Sequence, residues 1–80
     1  MINDIIEKIA DNLKELGVNI NDAETDFISE NNIDSITFIE IILSLEEEFS
    51  VLIPEDYLLM ENLNAVDKIA KLIEKLADAR

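Results

Sequence analysis

The 80-residue chain contains no cysteine, no histidine and no tryptophan. Without cysteine it has no disulfide framework, no thiolate nucleophile and no sulfur-based metal site. Without histidine it lacks the side chain most used as a general base near neutral pH and as a transition-metal ligand. A single glycine and a single proline are too few for a turn-rich β fold and do not fit low-complexity disorder. Aromatic residues make up only 5% of the chain, against 49% hydrophobic residues in all, so the core must be mostly aliphatic. Basic side chains are scarce as well: 6 lysines and arginines face 19 aspartates and glutamates, for a formal net charge of −13. That balance excludes nucleic acid as a partner, because phosphate backbones are bound through clustered lysine and arginine. No apolar run approaches the ~20 residues of a membrane span. The first residues lack the basic flank and small-residue cleavage site of a secretory signal. The expectation is one cytoplasmic domain covering residues 1–80, monomeric, binding no metal and not itself an enzyme.

What is present is helical periodicity. No segment shows the strict alternation of a half-buried strand. Over and just ahead of residues 3–16, Ile2, Ile5, Ile6, Ile9, Leu13 and Leu16 share one helix face, with Asn3 as N-cap and Gly17 just past the end. Residues 65–78 carry a second stripe, Val66, Ile69, Ala70, Ile73, Leu76 and Ala77. Asn64 is expected to cap it, with Asp67 three positions on. Between Gly17 and Asp34 lies a long polar connection pinned by Val18, Ile20, Phe27, Ile28 and Ile33, with a short turn near residues 22–27. Such length is often functional. Pro54 interrupts the chain, and residues 56–61 are expected to add a short helix. The fold class is all-α: a small bundle of three long helices and one short one, with a long loop between the first two.

The helix expected over residues 35–49 has more apolar surface than one face can hold. At ~100° per residue, Phe38, Ile41, Ile42, Leu45 and Phe49 fall together as a core stripe. Ile36, Ile39 and Leu43 form a second stripe about 130° away. Either the helix is buried nearly all round, or the second stripe is a surface bordered by Glu40, Glu46 and Glu47 on which basic, grooved partners dock. Periodicity alone leaves both open. Charge favours docking: fourteen acidic residues and no lysine or arginine lie from residue 15 to residue 67, an asymmetry that draws basic partners toward this helix at the expense of self-repulsion. A charge run of this kind is also the ordinary means of keeping a protein soluble.

Asp34-Ser35 opens this helix. Asp34 is an ordinary N-cap with Ser35 in the first turn. The alternative is that Ser35 is modified, since the free N–H groups and macrodipole of a helix N-terminus favour a phosphate. No histidine or neighbouring lysine activates Ser35, so another enzyme would have to do the chemistry. Asp22, Glu24 and Asp26 alternate as calcium-loop ligands do. However, Phe27 stands where that loop needs glycine and Ile33 where it needs a bidentate glutamate, so the loop does not fit.

Ile33-Asp34-Ser35-Ile36-Thr37-Phe38-Ile39-Glu40, followed by Leu45-Glu46-Glu47-Glu48-Phe49 and Ile53-Pro54, resembles the acyl carrier proteins. The likeness covers the whole chain in length, acidity and order of segments. It implies that Ser35 is the attachment point of 4′-phosphopantetheine, installed by a phosphopantetheinyl transferase, and that Asp34 assists recognition or metal coordination in that reaction. The arm's terminal thiol would then carry acyl groups as thioesters in fatty-acid or related acyl-chain synthesis. Ile36, Ile39, Glu40, Leu43, Glu46 and Glu47 match the family's partner-recognition helix, whose partners are acyl or aminoacyl ligases and synthases with basic docking surfaces.

Three departures stand out. Asn31-Asn32 replaces the family's usual Leu-Gly, with asparagine tolerating the left-handed backbone better than most residues. Ile36 replaces a more frequent leucine. Tyr57-Leu58-Leu59-Met60 is more apolar than in a typical fatty-acid carrier. The last two leave room for an aminoacyl or peptidyl carrier of a specialised pathway. A further alternative is an acidic helical adaptor with no prosthetic group, for which the Asp-Ser context is coincidence.

Overall fold

The computed structural model describes residues 2–78. The expected N-cap Asn3 lies inside the first helix instead of before it, because α1 runs Ile2–Glu15. Its other end is as the sequence indicates. Gly17 takes φ 88, the Gly17 N–H donates to the Lys14 carbonyl at 3.0 Å, and the Val18 N–H to the Leu13 carbonyl at 3.0 Å. These are the paired bonds that close a helix through a left-handed residue. Helix α1 stops before Leu16 and leaves that side chain exposed, although its spacing puts it on the core stripe.

The long connection is organised by its polar side chains. The Asp22 carboxylate accepts from the backbone N–H groups of Glu24 and Thr25 and from the Thr25 hydroxyl, at 2.7–2.9 Å. Asp26 caps a four-residue helix, α2 (Phe27–Glu30), by accepting from the Ser29 N–H. Phe27 and Ile28 carry α2 into the core. The Asn31 side-chain amide donates to the Asn19 and Phe27 carbonyls, while its oxygen accepts from the Asn19 N–H, clamping the two ends of the connection together. Asn32 then adopts φ 51 and closes α2 through bonds from the Asn32 and Ile33 N–H groups to the Ser29 and Ile28 carbonyls. Asn32 thus takes the left-handed backbone that asparagine tolerates better than most residues.

Helix α3 runs Ser35–Phe49, as expected. The short helix expected over residues 56–61 is reduced to one 3-10 turn, Glu55–Tyr57, followed by hydrogen-bonded turns through Leu63. Helix α4 is Val66–Asp78. Its start is secured differently from the sequence expectation. The Asn64 side chain does not cap it: the Asn64 amide donates to Asp26, and its oxygen accepts from Lys68. The Asp67 N–H instead donates to the Ala23 carbonyl at 2.9 Å, and the Phe27 N–H to the Asn64 carbonyl at 3.0 Å. The long connection and the entry to α4 therefore serve as each other's caps. Met1, Ala79 and Arg80 lie outside the described residues.

Helix α1 packs against α4 and α3. Ile9 and Leu13 from α1, Phe38, Ile41, Ile42 and Leu45 from α3, and Val66, Ile69, Ala70, Leu72 and Ile73 from α4 make the buried core, closed from the connections by Val18, Phe27, Ile53 and Leu63. Among the described residues the element order is purely helical, with no strand, so the chain is the small all-α bundle its periodicity indicates.

Candidate functional site at the head of the third helix

Helix α3 resolves the two-stripe question. Phe38, Ile41, Ile42 and Leu45 are buried, whereas Ile36, Ile39 and Leu43 are 72%, 44% and 58% exposed. The second stripe is a solvent-facing apolar ridge. Glu40 and Glu47 beside it are exposed, while Glu46 is half-buried because its carboxylate accepts from the Ile53 N–H at 2.7 Å. Glu46 therefore has a structural task at the end of α3, one that the sequence reading did not foresee.

At the other end, Asp34 has an extended backbone (φ −87, ψ 176), and its carboxylate accepts from the Thr37 N–H at 2.8 Å. Hydrogen bonds from Thr37, first its backbone N–H and then its hydroxyl, hold the Asp34 carboxyl below the ordinary carboxylate range. The residue stays ionised at the positive end of the helix dipole. Ser35 is the first residue of α3 and is exposed. Because Asp34 supplies the cap, the Ser35 hydroxyl is not consumed by it. Ser35 also borders an open, mostly apolar groove of about 470 Å³, walled by Phe38 and Ile39 of α3 and by Leu58, Leu59, Met60 and Glu61 of the facing segment. The apolar run at 57–60 was visible in the sequence, but its placement beside Ser35 was not.

Comparison with known proteins gives the family. The family described as "Phosphopantetheine attachment site" matches residues 3–73, nearly the whole chain. The chain belongs to the acyl carrier protein family. A protein named acyl carrier protein from Bdellovibrio bacteriovorus is 35% identical over 57 residues, 71% of this chain and 70% of that protein. One of the same name from Helicobacter hepaticus is 33% identical over 64 residues, 78% of this chain and 82% of its own length. No solved structure gives a significant match. An exposed, uncommitted hydroxyl at a helix N-terminus beside an open groove fits the arm that defines the family, because backbone N–H groups at such a terminus receive phosphate.

The carrier's electrostatics give one prediction. Two exposed carboxylates, Asp22 and Asp34, are held below the ordinary carboxylate range. The Thr25 hydroxyl, followed by the Glu24 and Thr25 N–H groups, lowers the Asp22 carboxyl, as Thr37 lowers Asp34. A depressed carboxylate contributes stability that is present above its unfolded pKa, about 3.9, and is lost as pH falls through the folded value. The Tm is therefore expected to fall below pH ~4. Added salt at pH 7, which screens the self-repulsion of the acidic surface, should raise it. Thermal melts over pH and salt check this, and a Tm that ignores salt would show that the repulsion is negligible.

Proposed function

We propose that this carrier holds acyl groups on a 4′-phosphopantetheine arm joined through phosphate to Ser35, and presents them in the cytoplasm to the enzymes of fatty-acid or related acyl-chain synthesis. The observation that carries the reading is the exposed Ser35 hydroxyl at the start of α3, left open because Asp34 makes the cap. In the loading step the Ser35 oxygen forms a bond to the pantetheine-bearing phosphorus of coenzyme A. The pyrophosphate link breaks, and adenosine 3′,5′-bisphosphate leaves. The chain has no histidine, so the serine proton passes to a base on the transferase. Asp34 keeps a fixed negative charge beside the reacting hydroxyl for the transferase to recognise. Once bound, the arm supplies the thiol that this cysteine-free chain lacks, and acyl groups are held there as thioesters. Ile36, Ile39 and Leu43, with Glu40, Glu46 and Glu47, form the face offered to the basic docking surfaces of transferase, ligase and synthase.

Incubation with coenzyme A and a phosphopantetheinyl transferase should add ~340 Da to the intact protein. No gain with several transferases would overturn the assignment and favour an adaptor without a prosthetic group.

The groove beside Ser35 supports an apolar acyl cargo over an aminoacyl one, since Phe38, Ile39, Leu58, Leu59 and Met60 make most of its walls and Glu61 is its one charged lining residue. Loaded forms with chains of ~8 carbons should melt several degrees above forms with ~2 carbons, because burial of each CH₂ is worth about 0.8 kcal/mol. A Tm independent of chain length would favour the aminoacyl or peptidyl alternative.

A further inference from the structure

The chain leaving α3 is held on both sides of one residue. Ser50 turns it through a left-handed conformation, φ 54. The Val51 N–H donates to the Glu46 carbonyl at 3.1 Å, and the Ile53 N–H to the Glu46 carboxylate at 2.7 Å. Val51 and Ile53 are both buried. Side chains alternate along extended backbone, so Leu52 between them is driven outward. It is 84% exposed, more than any other large apolar side chain among the described residues. A lone exposed leucine is unremarkable on most surfaces. This one borders a surface pocket of about 500 Å³ together with Glu46, Glu47, Ser50 and Val51. Glu46 and Glu47 stand one helical turn beyond Leu43, so Leu52 continues the ridge that begins at Ile36 beside Ser35. Every charged side chain of α3 itself is acidic, and no lysine or arginine occurs from residue 15 to residue 67.

We propose that Leu52 is a docking anchor, a preset apolar knob that seats in a socket rimmed by lysine and arginine on the enzyme that loads Ser35. The inference rests on the carrier reading above. It extends the recognition surface off the helix and onto the 51–53 strap, so that the partner grips both ends of α3, which is ~22 Å long. The two bonds to Glu46 fix the backbone in advance, and little ordering entropy remains to oppose binding. The acidic rim disfavours partners whose socket is itself acidic.

The test uses the full chain with coenzyme A and a phosphopantetheinyl transferase, reading KM and kcat separately. Leu52→Ala is expected to raise KM about tenfold with kcat within about twofold, as for truncation of an interface hot spot. Leu52→Glu should raise it further, and Leu52→Met should restore most of the loss. Leu16→Ala, at an exposed leucine beyond α1, should leave KM unchanged. The Tm of Leu52→Ala should match that of the parent. A KM unmoved by Leu52→Ala and Leu52→Glu overturns the anchor while leaving the carrier reading intact. So does a fall in Tm that accounts for the kinetic loss. A parent protein that gains no mass at all overturns both.

Discussion

Replacing Ser35 by alanine is expected to abolish the ~340 Da gain completely while leaving the fold as stable as before. Adjacent residues divide two tasks here. The cap belongs to Asp34, whose carboxylate receives the Thr37 N–H, and alanine at the first helical position removes no hydrogen bond that the fold uses. The complementary substitution separates the tasks from the other side. Asp34→Ala keeps the hydroxyl but loses the cap, so its Tm should fall. Its modification should slow, since the fixed negative charge beside the serine is gone. Intact-mass spectrometry and a thermal melt on each variant check the division. A Ser35→Ala protein that still gains the full mass would place the arm on another residue.

Leu13→Ala is expected to cost about 3 kcal/mol, in the range for truncating a buried leucine. Leu13 is fully buried on α1, the helix that packs against both α4 and α3, so a void there weakens both contacts. A domain of this size has a total stability of only several kcal/mol, and each kcal/mol shifts Tm by about 4–8 °C. The variant should therefore melt roughly 12–24 °C lower. Leu16→Ala, three residues on and on the same sequence stripe, should lie within about 0.5 kcal/mol of the parent. Equal losses at the two positions would mean that α1 continues past Glu15 and buries Leu16 as well.

That pair also shows what the sequence makes legible. The period of apolar residues identified all three long helices, and the surplus stripe of Ile36, Ile39 and Leu43 marked α3 as either buried nearly all round or carrying an exposed apolar ridge, a choice that the packing of the other helices decides. Asn32 was readable because few residues accept its backbone conformation. Positions decided by long-range pairing were not readable. Asn64 has the right chemistry and nearly the right position for a cap, yet Asp26 and Lys68 claim its side chain, and the Ala23 carbonyl supplies the Asp67 N–H instead. Glu46 reads as one more surface carboxylate until the strap returns to meet it. Leu52 could have been found, since alternation before Pro54 puts it opposite Val51 and Ile53. Helical periodicity simply draws attention away from three extended residues.

The reduction of residues 55–61 to a single 3-10 turn has a mechanical consequence. One wall of the groove at Ser35 is a continuous fifteen-residue helix, α3. The other hangs between Pro54 and the buried Leu63 on one tight turn and isolated bonds, with no axial ladder to stiffen it. Local opening follows the weakest hydrogen bonding, so any widening of the groove is borne by the 58–61 side. A cargo chain could thus change in length without α3, and the face it shows to enzymes, having to move.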